Sequence, residues 1–228
     1  MTPVATVDRD DPAHAGQAVY TRSFLSVYDA IVYGFNSPVL WRCPKSRIVE
    51  HYDAHVSARH LDIGVGTGTL LDACRFPVAA PEITLMDLNP NSLAAAAHRL
   101  VRYAPRTHRA NALEDWRLEP GTYDSVALTH ILHCLPGSMA EKGVAFEHAK
   151  RALAPGGTLF GATILAKDVH LSPLARAATA LSNRRGILHN WDDGPSELDA
   201  ALAQVFPERE VRVRGTVALF AARRASGR

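Results

Sequence analysis

The run His60-Leu61-Asp62-Ile63-Gly64-Val65-Gly66-Thr67-Gly68-Thr69-Leu70 constrains this chain more than any other stretch. A short apolar strand carries an acidic residue near its end, a glycine-rich turn follows, and a helix starts behind the turn. Alternating glycines let the backbone enter left-handed conformations and let a ligand approach the main chain closely. The free N–H groups of the helix start point at whatever the turn holds. In open α/β sheets such a turn, at a strand's carboxyl end, is where ligands bind. A dinucleotide fingerprint requires the spacing G-x-G-x-x-G. Counting from Gly64 puts Thr69 at the third glycine position, and counting from Gly66 puts Leu71 there, so neither register fits. The spacing is G-x-G-x-G instead.

At 228 residues the chain suits one domain with a small addition. A formal charge of +2, with no long Lys/Arg run, argues against a nucleic-acid partner. Cys43, Cys74 and Cys134 are far apart and odd in number, matching neither a disulfide framework nor a C-x-x-C metal site. Met1–Gly16 lacks the apolar run of a signal peptide, and no later segment reaches transmembrane length. The expectation is a reduced cytoplasmic protein, monomeric or homodimeric, without membrane attachment.

Residues 1–57 carry no strand signal and read as a helical cap. Phe24, Tyr28 and Ile31 fall at helical spacing within a helix over Tyr20–Tyr33, which Gly34-Phe35-Asn36-Ser37-Pro38 should end. Ile48, Val49, Tyr52 and Val56 mark a second amphipathic helix. From residue 58 to 228, strand and helix patterns alternate, which implies a parallel sheet with helices on both faces. Strands are expected at His60–Asp62, Ile83–Asp87, Thr107–Ala110, Tyr123–Thr129 and Thr158–Leu165. One helix should run from Met139 to Leu153 and end at Pro155-Gly156-Gly157. A helix over Pro195–Phe206 precedes Glu208–Arg214 and Thr216–Ala222, whose link is too short for anything but an antiparallel pair.

Five stretches, Leu61–Gly68, Leu85–Asn89, Asn111–Asp115, Tyr123–Pro136 and Leu153–Leu165, resemble in order and spacing the motif series of class I S-adenosylmethionine (SAM)-dependent methyltransferases of small-molecule, natural-product type. The resemblance covers most of the chain. It implies a Rossmann-like seven-stranded sheet with the last strand antiparallel, and SAM as methyl donor with S-adenosylhomocysteine (SAH) as product. Carried onto this sequence, Gly64, Gly66 and Gly68 would wrap the methionine and ribose portions, and Asp62 would hold the amino group. Asp87 would grip two ribose hydroxyls with its paired acceptors. Leu88 would pack beside the adenine, whose amino edge Asn111, Ala112 and Leu113 would line. Thr129, Tyr20 and Tyr33 complete the cofactor set. The competing structural roles are loop or helix capping for the two Asp residues and a simple turn for Asn111.

Methyl transfer from a sulfonium needs a placed nucleophile and exclusion of water. A protonated nucleophile also needs a base near neutral pKa, for which histidine is suited. His133 and His130 follow the fourth strand, where the family's substrate-facing residues lie, and with Tyr28 they are the catalytic candidates. Tyr28 and Trp41 of the cap, with Asn190 and Trp191 ahead of the late helix, are the candidates for holding a flat substrate; core packing is the alternative for each aromatic. No cluster with metal-ligand spacing is present, so no metal is expected. Thr129-His130-Ile131-Leu132 replaces the Asn/Asp/Ser-Pro-Pro-Tyr/Phe turn of enzymes that methylate nucleobase amines or glutamine amides. The expected acceptor is a small aromatic or heteroaromatic metabolite, methylated on an indole-type ring carbon, with phenolic oxygen as the alternative. A nicotinamide-dependent oxidoreductase and a non-catalytic SAM-binding regulator are the rival functions.

Overall fold

The computed structural model describes residues 29–227, the side chains of Ala30 and Ile31 aside. Tyr20 and Tyr28, with most of the Tyr20–Tyr33 helix, lie outside the described residues. A seven-stranded sheet runs in the order β3-β2-β1-β4-β5-β7-β6. Its strands are β1 Arg59–Ile63, β2 Glu82–Asp87, β3 Arg106–Arg109, β4 Tyr123–Thr129, β5 Leu153–Ile164, β6 Glu208–Arg214 and β7 Val217–Arg223. The first five pair in parallel, and β7 is antiparallel to both β5 and β6. The helices are α1 Ala30–Leu40, α2 Lys45–His55, α3 Thr69–Ala73, α4 Pro90–Arg99, α5 Met139–Lys142, α6 Val144–Ala152, α7 Pro173–Arg184 and α8 Pro195–Val205. None of the described helices is long and apolar enough to cross a membrane.

Strand alternation divides the core in two. Leu61, Ile63, Val126 and Leu128 face α5, α6 and α8 through Met139, Phe146, Leu198 and Leu202. Ile83, Leu85, Ala127 and Phe160 face α2, α3 and α4 through Ile48, Tyr52, Leu71 and Leu93. Burial on both faces is what a parallel sheet requires of its central strands. Strand order reverses between β1 and β4, so their carboxyl ends open a crevice at the switch point.

Two expected boundaries differ. Gly34–Pro38 does not end the cap helix; α1 continues to Leu40 as a wide helix, with the Trp41 N–H donating five residues back to the Asn36 carbonyl at 3.0 Å. Pro38, which has no N–H to donate, is accommodated inside that wide turn. The single helix Met139–Leu153 is two, α5 and α6, meeting at Gly143. Ser138 and Glu141 form a reciprocal capping box at the start of α5. Leu153 already pairs with Tyr123 as strand, and the pairing resumes at Ser125 with Thr158. Pro155-Gly156-Gly157 is therefore an irregularity within β5 rather than a helix stop.

Candidate functional site

The crevice at the β1–β4 switch point is a cleft of about 990 Å³ counted to its open mouth, at the place in an open α/β sheet where ligands bind. It is lined by Asp62, Gly64, Gly66 and Gly68 after β1, by Asp87 and Leu88 after β2, and by Asn111 and Ala112 after β3. Thr129 and His130 enter from β4 and Tyr33 from the cap. Leu113 is not on the lining; its N–H donates to Asn111 Oδ1 at 3.1 Å and its side chain packs on the core.

The glycine turn is held open by geometry. Gly64, Gly66 and Gly68 all have positive φ, a region L side chains rarely adopt. A Cβ on Gly64 would stand 2.8 Å from the Ile131 side chain, so glycine lets the β1 and β4 turns touch. A Cβ on Gly66 would meet nothing within 4 Å, which leaves its main chain bare to the cleft.

Two carboxylates are aimed into this end. Asp87 Oδ1 accepts the Asn89 N–H at 2.8 Å and Oδ2 accepts the Gly66 N–H at 3.4 Å. Burial pushes its carboxyl up to about 6, against the lowering pull of those N–H groups. Asp62 is 3% exposed. Its Oδ2 accepts the Tyr52 hydroxyl at 2.8 Å and faces His60 Nε2 at 3.4 Å. Asn111 Nδ2 donates to Glu114 Oε1 at 3.1 Å. The cap also reaches the turn: Thr67 Oγ1 donates to Asp29 Oδ1 at 2.6 Å, and Arg99 Nη1 donates to Asp29 Oδ2 at 2.7 Å. Paired acceptors, bare main chain and an apolar slot by Leu88 and Ala112 suit a nucleoside whose tail carries a cation.

The other end is different in kind. His130 follows β4 with φ 58°, and its N–H donates to the Ala162 carbonyl at 2.7 Å. That sharp turn sends the imidazole into the cleft. Both ring nitrogens are buried and have no hydrogen-bond partner among the described residues. The ring lies 6.1 Å from Tyr33, 6.1 Å from Trp41 and 5.5 Å from His133, centroid to centroid. Burial lowers its pKa to about 4, so at neutral pH it is an uncharged proton acceptor. Cys134 also lines the cleft, but burial pushes its thiol up to about 12, which keeps it from acting as a thiolate.

His133 stands behind His130 rather than on the cleft wall. It is 4% exposed, and its Nδ1 accepts the Ile164 N–H at 3.1 Å. In the neutral ring, which burial favours strongly, the proton then sits on Nε2. Its acceptor lone pair is engaged, so this ring cannot serve as a base without breaking that bond. Trp41 borders His130 but is not on the lining. Asn190 is buried away from the cleft, donating from Nδ2 to the Ile164 carbonyl at 3.0 Å and exchanging bonds with Asn183. Trp191 is 42% exposed and also outside the lining. Sequence reasoning left out Thr67, Ile131 and Cys134 as cleft residues. Tyr52, marked from the sequence on the second amphipathic helix of the cap, also lines the cleft, and its buried hydroxyl needs a partner.

A family model described as a methyltransferase domain matches residues 61–159. Demethylluteothin O-methyltransferase of Streptomyces thioluteus is 46% identical over 97% of this chain and 97% of its own length. The physcion biosynthesis cluster O-methyltransferase of Aspergillus chevalieri is 34% identical over 92% of this chain and 96% of its own. Among solved structures, human N-acetylserotonin methyltransferase in complex with SAM superposes with TM-score 0.67 at 18% identity, covering 96% of this chain and 61% of that one. Haemonchus contortus phosphoethanolamine N-methyltransferase 2, also with SAM, gives TM-score 0.69 at 18% identity, covering 98% and 61%. At such identities the structural likeness speaks for the fold.

Proposed function

The chain belongs to the SAM-dependent methyltransferases, which removes the nicotinamide alternative, and from that premise we propose that it methylates a hydroxyl oxygen of a small planar metabolite. The single observation that carries the oxygen reading is His130, a buried, uncharged imidazole whose nitrogens have no hydrogen-bond partner among the described residues, at the acceptor end of the cleft. Relatives named as O-methyltransferases that match this chain along nearly its whole length support it, and they move the weight from the expected indole carbon to oxygen.

When bound, SAM supplies a methyl group made electrophilic by its sulfonium and leaves as SAH. In this reading Asp87 holds the ribose hydroxyls, Asp62 the amino group, and Gly64, Gly66 and Gly68 the tail, with Leu88, Asn111 and Ala112 around the adenine. His130 accepts the proton of the acceptor hydroxyl as its oxygen becomes the nucleophile. General-base assistance of this kind is worth about 10²–10⁴ in rate. Tyr33 and Trp41 enclose the imidazole, present flat apolar walls to the acceptor and keep water from the reacting oxygen. The test is transfer from methyl-labelled SAM to a panel of phenols, cyclic enols and indoles, with the product located by NMR. A methoxy signal is expected; label on a ring carbon or nitrogen would overturn the oxygen acceptor.

A further inference from the structure

Asp62 presents an asymmetry that the methyl-transfer reading does not use. Both of its donors among the described residues act on one oxygen, Oδ2: the Tyr52 hydroxyl at 2.8 Å and His60 Nε2 at 3.4 Å. No described residue donates to Oδ1, although Asp62 is on the cleft wall. Among the described residues, no lysine or arginine lines the cleft beside it.

The donors are themselves set in direction. The Asp62 carboxylate can only accept, which places the ring proton of His60 on Nε2, toward it. Nδ1 is then the acceptor and takes the Ser125 hydroxyl at 2.8 Å, while Ser125 Oγ accepts the Ser57 N–H at 2.9 Å. Phe160 fixes both rings, stacked on His60 at 5.8 Å and 26° and edge-on to Tyr52 at 5.0 Å and 89°. Burial, and then the Asp62 charge, hold the Tyr52 phenol protonated well above the ordinary tyrosine range, so its proton is available to the carboxylate.

We propose that Tyr52, backed by the Ser125–His60 pair, is a positioning residue that turns Asp62 into a one-sided ammonium receptor and so selects for the amino-acid tail of the nucleoside. The inference rests on the reading that Asp62 faces the amino group. Two donors on Oδ2 orient the carboxylate without neutralising it. Oδ1 keeps its acceptor capacity in a buried setting where a charged hydrogen bond is strong. Tyr52 stands on α2, so docking of the cap onto β1 assembles the receptor.

Calorimetry with SAH and with methylthioadenosine, the same nucleoside sulfide without the amino-acid tail, tests this. Asp62→Asn should cost SAH about a hundredfold in affinity and leave methylthioadenosine within about twofold. Tyr52→Phe should weaken SAH about tenfold, again sparing methylthioadenosine, and Ser125→Ala should do the same at about threefold. If Asp62→Asn binds SAH as the parent does, the underlying reading of Asp62 fails. If Asp62→Asn is selective but Tyr52→Phe weakens both ligands alike, or neither, the positioning role alone fails. Should Tyr52→Phe not fold, Ser125→Ala decides: loss confined to SAH supports the proposal, and equal or no loss overturns it.

Discussion

Asp62 and Asp87 are each oriented by at least two donors among the described residues. His130, across the same cleft, meets the rings of Tyr33, Trp41 and His133 and no hydrogen-bond partner among the described residues. One end is wired for a ligand that presents the same groups at every turnover. The other is left unwired, although an unsatisfied buried polar group costs about 1–3 kcal/mol. A lone pair already used by the protein cannot take a proton from substrate. His133, with rings 5.5 Å from His130, illustrates the alternative: its Nδ1 is committed to Ile164. In this account unpartnered polarity marks the chemistry and partnered polarity marks the recognition.

The comparison breaks most directly at His130. His130→Ala should lower kcat by about 10²–10⁴, measured with saturating SAM; a loss below tenfold would leave the unwired end without a catalytic role. The wall behind it depends on a buried ion pair, Lys142 with Asp193 at 2.7 Å and exposures of 0% and 1%. Lys142 Nζ also donates to the His189 carbonyl, and the His189 N–H donates to the His133 carbonyl. Burial raises the Asp193 pKa while Lys142 pulls it down. Lys142→Ala should cost about 3–5 kcal/mol in urea unfolding, because it strands a buried carboxylate.

Acidity separates the two ends more finely. In the proposed role of gripping two ribose hydroxyls, Asp87, with its carboxyl at about 6, must be ionised to accept both. SAH affinity should therefore fall about tenfold per pH unit below 6 and hold steady above 7. Asp87→Asn should abolish that dependence, whereas His130, already neutral above about 4, should contribute nothing to it. The sign reverses for the unliganded fold. Its Asp87 holds a proton more tightly than the unfolded chain does, so this group's contribution to stability declines as pH climbs from about 4 to about 6. The smallest effect is expected at His133: His133→Gln should reduce kcat less than about tenfold and leave its pH profile in place. A lost acid limb there would make His133 the base and invert the comparison.

The wired end was the more legible one. Its glycine spacing and strand-tip carboxylates are local in sequence, and Tyr123–Thr129 and Glu208–Arg214 coincide with the strands expected there. The difference between His130 and His133 was not visible, because it depends on an N–H thirty-one residues away, at Ile164. Tyr52 read as core at helical spacing, and it is core; its hydroxyl finds Asp62 only after the cap docks. Gly34 and Pro38 misled for a related reason, since a wide turn absorbs what would break an ordinary helix. Asn190 and Trp191 sit beside α7 and α8, outside the cleft lining, which spacing along the chain does not reveal.

The division of the cleft is tested most directly by equilibrium binding of SAH to His130→Ala and Asp87→Asn at pH 7.5. The account predicts an affinity within about twofold of the parent for His130→Ala and a loss of about tenfold or more for Asp87→Asn. Equal losses in both variants, or a loss in His130→Ala alone, would contradict it.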